Sequence, residues 1–340
     1  MKKNNLVRRD EDFDFEIPRV IKEIKERKVR TVLVQLPLGI KTGFMKHLKK
    51  IEKETKCNII VSGGNCWGAC DVPIEEAKLV GAELIVHFGH APFTKIDFPI
   101  IYIFLKDKNN LIPLVKKSLV KLGLYEKIGI ISSIQHIHKL EDIKKFYEKE
   151  GKCVEIPRAI GHAHLSGHVV GCEYSGLKAI RDKIDAVVIL GNQFHALGAA
   201  LALIDKPIIL IDSYNNEVVD MTNKRDLLIK QRNIAIEKMK SAKKLGIIVG
   251  TKIGQKFGSF STIKKELERE GKEVMIISMD EMTPEKIMNF YDLEGFIELA
   301  CPRIATDDYG KYEKPILTFR EALVLIKKLS WEDILREGFI

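Results

Sequence analysis

Three features of the sequence predict an α/β fold made of three similar parallel-sheet domains. Short, nearly continuous apolar runs rich in Val and Ile recur along the 340 residues, as expected of strands buried on both faces. Charged amphipathic segments of helical period separate them, and such alternation builds βαβ units. The pattern also restarts. Strand openings at Thr31, Lys127 and Lys244 are each followed by a polar or Gly-containing turn, a helix and a second strand. That recurrence predicts domains of about 100 residues, bounded as 1–109, 110–216 and 217–340 by the polar stretches at 106–110 and 213–226.

In the first domain an N-terminal helix carries the charged segment IKEIKERK. Strands are expected at TVLVQL (31–36), NIIVSGG (58–64), LIVHFGH (84–90) and IIYIFL (100–105). Helices are expected at GFMKHLKKIEKET (43–55) and IEEAKLVG (74–81). The second domain offers strands at IGIISS (128–133), VVILGNQ (187–193) and IILIDS (208–213), with helices at LEDIKKFYEKEG (140–151) and YSGLKAIRDKI (174–184). In the third, a long helix opens within 213–226. Strands follow at LGIIVGT (245–251), VMIIS (274–278) and GFIELA (295–300), with helices at FSTIKKELEREG (260–271) and FREALVLIKKL (319–329).

Composition narrows the partners. Apolar residues make up 45% of the chain, ample for packed cores. The net charge of +9 arises from 56 basic and 47 acidic residues interleaved along helices, as on solvated faces, so no direct nucleic-acid partner is expected. No apolar stretch approaches the roughly 18 residues of a membrane span, and the charged N-terminus encodes no export signal, so no membrane partner and a cytoplasmic location are expected.

In a reducing compartment six scattered cysteines are unlike either a disulfide framework or a zinc ribbon. Cys57 and Cys153 fall in strand-like segments and read as small buried hydrophobes. Cys70, Cys172 and Cys301 fall one in each third, at the carboxyl ends of strands, where open parallel sheets collect ligands. Gly171 precedes Cys172 and permits close backbone approach, Pro302 follows Cys301 and stops its strand, and Pro73 follows Cys70 near a helix start. A following helix N-terminus would favour the thiolate at Cys70 and Cys172. Two accounts stay open on chemistry alone: three separate buried thiols, or three ligands converging on one centre. Three thiolates suit an iron–sulfur cluster with one iron lacking a protein ligand, and suit zinc less well.

The segments CWGACDVPIEEA (66–77), GHVVGCEYSGLKAI (167–180), VVILGNQFHALGAALA (187–202) and ELACPRIATDDYGKYEKPILTFREA (298–322) resemble the diphthamide-synthesis family in order, through all three thirds. VLVQLPLGI (32–40) matches more loosely. The resemblance implies a pseudo-threefold arrangement of the three domains around a central 4Fe-4S cluster held by Cys70, Cys172 and Cys301, in a homodimer. It implies cleavage of the Cγ–S bond of S-adenosylmethionine, the co-substrate, after an electron donor reduces the cluster. The 3-amino-3-carboxypropyl group then passes to a histidine of translation elongation factor 2, beginning diphthamide biosynthesis. Rivals within reach of the same architecture are a quinolinate-synthase-like 4Fe-4S dehydratase and a non-catalytic, cluster-bearing partner subunit. His168 and Trp67 stand where the family commonly has Gln and Tyr.

The chain lacks the CxxxCxxC loop of ordinary radical enzymes that use S-adenosylmethionine, since Pro73 occupies the place of a third cysteine after Cys66 and Cys70. Strand-end loops with glycine and polar residues supply candidate contacts for S-adenosylmethionine: Gly191, Asn192, Gln193 and His195, with Gly250, Thr251 and Gln255. His162, His164 and His168 read as a polar loop near the cleft, and His87 and His90 as candidates for its lining. Arg303, Asp307, Asp308 and Tyr309, which follow Cys301, are expected to order its loop through an Arg–carboxylate pair or to meet the substrate.

Overall fold

The protein is described here by a computed structural model covering residues 12–340; residues 1–11, the start of the first predicted domain, lie outside the described residues. A short strand β1 (Phe13–Asp14) leads into helix α1 (Ile17–Arg27). Ile17, Val20, Ile21 and Ile24 recur at helical spacing on its buried face, Pro18 stands in its first turn, and Lys28 closes it in the left-handed region at φ 54°. Strand β2 (Thr31–Gln35), helices α2 (Leu38–Lys41) and α3 (Met45–Thr55), strand β3 (Asn58–Val61), helix α4 (Ile74–Leu79) and strands β4 (Leu84–Phe88), β5 (Ile100–Ile103) and β6 (Lys106–Asp107) follow. Sheet order is β3-β2-β4-β5, all parallel, and β1 pairs antiparallel with β6.

The next sheet is built from α5 (Ile112–Leu122), β7 (Lys127–Ser132), α6 (Leu140–Lys149), β8 (Cys153–Glu155), α7 (Ser175–Lys178), β9 (Ala186–Leu190), α8 (Gln193–Ala202), β10 (Ile208–Asp212) and β11 (Glu217–Asp220). Its order is β11-β10-β9-β7-β8, with β11 antiparallel at the edge. The third comprises α9 (Thr222–Ser241), β12 (Lys244–Gly250), α10 (Phe260–Arg269), β13 (Glu273–Met279), α11 (Pro284–Met288), β14 (Gly295–Glu298), α12 (Pro302–Asp307), β15 (Ile316–Leu317), α13 (Phe319–Leu325) and α14 (Trp331–Glu337). Its order is β13-β12-β14-β15, all parallel.

The four parallel strands of every sheet therefore run in the same sequence order: second, first, third, fourth. β2, β7 and β12 open at Thr31, Lys127 and Lys244, where the repeat in the sequence begins. Packing on both sheet faces explains the continuous apolar runs. Val32 and Val34 join α1 in one core, whereas Leu33 between them joins Val72, Ala77 and Ile85 in another.

Three expectations need correction. The predicted helix 174–184 is a single turn, α7, followed by a 3-10 turn at Arg181–Lys183, because the chain must reach β9 within a few residues. The polar stretch 213–226 contains strand β11 before the long helix begins; Asn216, at φ 54°, makes the turn that folds it back on β10. Cys153 is exposed, whereas Cys57 is buried as expected. β8 lies at a sheet edge, so Val154 turns inward and Cys153 faces solvent.

One buried ion pair knits the last sheet. The Arg232 guanidinium on α9 meets both Glu321 carboxylate oxygens at 2.6 and 2.7 Å and donates to the carbonyls of Ala305 and Ile316. Glu321 also closes the capping box of α13 with Thr318. Removing one partner strands the other charge, so Glu321→Ala is expected to cost about 3–5 kcal/mol, read as a lower guanidinium midpoint for the transition reported by Trp331.

Candidate metal centre

Cys70 lies in the crossing from β3 to α4, Cys172 in the crossing from β8 to α7, and Cys301 caps α12 directly after β14. The first two thus precede the third strand of their sheets, and the last follows it. The sheets repeat more faithfully than the cysteines do.

Cross-sheet contacts bring these loops together. The loop after β12 meets Cys70: the Gly254 amide donates to the Cys70 carbonyl at 3.0 Å, and Gln255 Nε2 donates to the Cys70 sulfur at 3.6 Å. Beside it, Lys252 Nζ binds Asp71 at 2.6 Å and lies 3.6 Å from Glu281. Arg303 spans to the second sheet. Its guanidinium lies 4.1 Å from the Phe194 ring centroid, donates to the Phe194 carbonyl at 2.5 Å, and pairs with Asp307 at 2.6 Å, the ion pair expected after Cys301. The Phe194 ring fills the space beside Gly171, which sits at φ 75° next to Cys172.

The thiols influence one another. Burial pushes Cys172 up to about 12, and the charge of Cys70 adds to the rise. Burial also drives Cys301 well above the ordinary thiol range, helped by Glu298, Cys172 and Cys70. Cys70 is raised by burial and partly relieved by Gln255. The expected lowering at helix N-termini does not prevail: α4 and α7 are short, and desolvation outweighs them. Under the Cys301 loop the buried Glu298 carboxylate accepts from the Ala300 and Cys301 amides at 3.1 and 2.8 Å, and burial raises its pKa well above normal. Three neighbouring thiolates cannot persist here without a bound cation. A metal centre fits this donor set, soft sulfur ligands with Gln255 as an outer partner.

Of the other expected residues, Gln255 is buried against Cys70. Gly250 ends β12, with Thr251 exposed beside it and its amide bonded to Met279. Asn192 caps α8, accepting from the His195 amide at 3.3 Å and lying 2.9 Å from its Nδ1. Gly191 is buried against the His195 ring. Gln193 is exposed and accepts from Lys224 at 2.8 Å, turned away from the thiols. His162 stacks on Phe93, His164 meets Phe104 edge-on, and only His168 of that trio is buried. Beyond burial, His164 and His90 disfavour protonation of His168, and Arg303, His168 and His90 disfavour that of His195. Sequence reasoning missed Glu298, Lys252 and Asp71, polar residues without a periodic signal.

A family model for diphthamide synthesis proteins matches residues 36–335. A 2-(3-amino-3-carboxypropyl)histidine synthase from Pyrococcus horikoshii is 32% identical over 329 residues, 94% of each chain. Subunit 1 of the synthase of that name from Kluyveromyces lactis is 28% identical, covering 93% of this chain and 76% of the relative. The crystal structure of Dph2 from Pyrococcus horikoshii with 4Fe-4S cluster superposes at a TM-score of 0.84 and 29% identity, over 93% of this chain and 92% of that one.

Two outcomes follow for the centre. A Cβ at Gly254 would stand 2.5 Å from Cys70 Cα, so Gly254→Ala should displace the loop and lower retained iron about tenfold or more, measured after anaerobic reconstitution. Burial holds His168 at about 4 and, aided by Arg303, His195 at about 3, against an ordinary 6.5. Their folded values are lowered, so the stability they contribute is full above pH 6.5 and lost as pH falls toward 4 and 3. Urea midpoints should drop across that window, and less steeply in His168→Gln.

Proposed function

The chain belongs to the diphthamide synthesis protein family, and on that premise we propose that it is the transferase that begins diphthamide biosynthesis. It cleaves the Cγ–S bond of S-adenosylmethionine and delivers the 3-amino-3-carboxypropyl group to a histidine of translation elongation factor 2. The observation that supports this is the approach of the Cys70, Cys172 and Cys301 loops from three sheets, tied by the Gly254 bond to Cys70 and the Arg303 bond to Phe194, with burial raising all three thiols. Relatives aligned along more than nine-tenths of this chain bear the synthase name, which disfavours the dehydratase and the partner-subunit alternatives.

Cys70, Cys172 and Cys301 would hold a 4Fe-4S cluster, which when bound supplies the electron for radical cleavage of the sulfonium. The chain's own residues hold and shield that centre. Gln255 donates to the Cys70 sulfur, and such a bond tempers thiolate charge. Arg303 packs its guanidinium on Phe194 beside the Cys172 loop and keeps the two loops in register. His195 Nδ1, directed at Asn192 Oδ1, acts as the donor, leaving Nε2 as an acceptor for a polar group of substrate.

Gly191, Asn192, Gln193 and His195, with Gly250, Thr251 and Gln255, are our proposed contacts for S-adenosylmethionine. Its carboxylate suits backbone N–H groups at the strand ends. Gln193 is the outlying member, since it now bonds Lys224. The division at 1–109, 110–216 and 217–340 belongs to the same proposal, as do a homodimer, an electron donor, elongation factor 2 as partner and a cytoplasmic site of action. Among the described residues no helix is long and apolar enough to cross a membrane.

The test is anaerobic. Protein reconstituted with iron and sulfide, reduced with dithionite and given S-adenosylmethionine should release methylthioadenosine. Cys70→Ala, Cys172→Ala and Cys301→Ala should each abolish it, and Gln255→Leu should slow it about 10–100-fold. A fully loaded cluster that yields neither methylthioadenosine nor deoxyadenosine would overturn the assignment.

A further inference from the structure

A second group of metal-ligating side chains lies outside the three-thiol centre. Cys66, His87 and His90 each present a ligand atom, and these atoms all lie within 4.8 Å of one another. His87 is the penultimate residue of β4 and fully buried, His90 follows two residues past the strand, and Cys66 sits in the loop between β3 and α4.

The protonation of His87 follows from its neighbours. Gln35 Nε2 donates to the Asp71 carbonyl at 2.7 Å, which fixes the orientation of the amide. Gln35 Oε1 must then be the atom 2.6 Å from His87 Nδ1, and an oxygen there can only accept. Nδ1 therefore carries the proton, and Nε2 accepts from His90 Nδ1 at 3.0 Å. A buried imidazole whose far nitrogen is held by a carbonyl oxygen while the near one points into a cluster of donors is the arrangement that orients metal-binding histidines.

We propose that Cys66, His87 and His90 bind a zinc-class divalent cation at a site distinct from the three-thiol centre. One thiolate and two imidazoles suit zinc in both softness and number, and leave a fourth tetrahedral position for water. Zinc bonds of about 2.0–2.3 Å place tetrahedral donors roughly 3.3–3.6 Å apart. The two imidazole nitrogens are near that spacing, and Cys66 on its irregular loop closes the remaining gap by a movement of about an ångström at most. Binding expels the Cys66 thiol proton to solvent, and His90 ligates through Nδ1 once its proton has moved to Nε2. The ion would tie the loop that carries Cys70 to the end of β4, fixing one ligand of the neighbouring centre from four residues away. The assignment does not depend on the proposed transferase reaction.

Cluster-loaded protein is given zinc chloride anaerobically, desalted, and assayed for zinc, iron and sulfide together, with zinc-edge X-ray absorption on the same sample. One zinc per chain with one sulfur near 2.3 Å and two nitrogens near 2.0–2.1 Å is expected, with iron unchanged. Cys66→Ser and His90→Gln should each weaken zinc binding at least about tenfold, whereas Cys153→Ser should not. Zinc with three sulfur neighbours would mean occupation of Cys70, Cys172 and Cys301 instead, and absence of bound zinc would mean a plain histidine pair; either overturns the assignment. The ligand shell is read from wild-type protein whether or not iron loads, so failure of the cluster and failure of the zinc site are told apart.

Discussion

Three thiols from three sheets lie near enough for their charges to couple, and burial disfavours the charged form of each. Burial, with the charge of Cys70, drives Cys172 up to about 12, and burial with Glu298, Cys172 and Cys70 drives Cys301 well above the ordinary thiol range. The folded chain therefore favours neutral thiols, and a metal centre held by them would have to displace their protons as it binds. Gly254 against Cys70 and Arg303 against Phe194 hold the loops that bring these thiols together.

The repeated sheet explains how such a centre arises from separate parts of the chain. Each sheet has its second strand outside its first and its third on the other side, so its loops emerge where the strand order reverses, the place where ligands gather. The cysteines use that rim differently. Cys70 and Cys172 approach from the connection into the third strand, and Cys301 from the connection out of it. In the first sheet the place after the third strand belongs to Gly89 and His90, and in the second to Gly191 and Asn192. One architecture thus offers strand-end loops that carry different polar groups.

Much of this was legible in the sequence because its physical cause is periodic. Val32, Leu33 and Val34 are all buried, one face to each core, and a continuous apolar run is what that requires. The cysteines were legible through their punctuation, Gly171 and Pro302 marking where a strand stops and a backbone comes close. The turn at 174–184 was not legible, since helical composition there is overruled by the short path to β9. Cys153 was misplaced because burial at an edge strand depends on which neighbour is missing, a tertiary fact. Gln35, Asp71, Lys252 and Glu298 were silent for the same reason. Their partners lie far along the chain, and no local pattern distinguishes a buried polar side chain from a solvated one.

The most direct measurement is an anaerobic crystal structure of the reconstituted protein with anomalous data at the iron edge. Convergence of the three sheets predicts one compact group of iron peaks, bonded to the sulfurs of Cys70, Cys172 and Cys301 and to no others, with one iron lacking a protein ligand. Iron bonded to Cys66 in place of Cys70, or iron divided among separate single-cysteine positions, would contradict it.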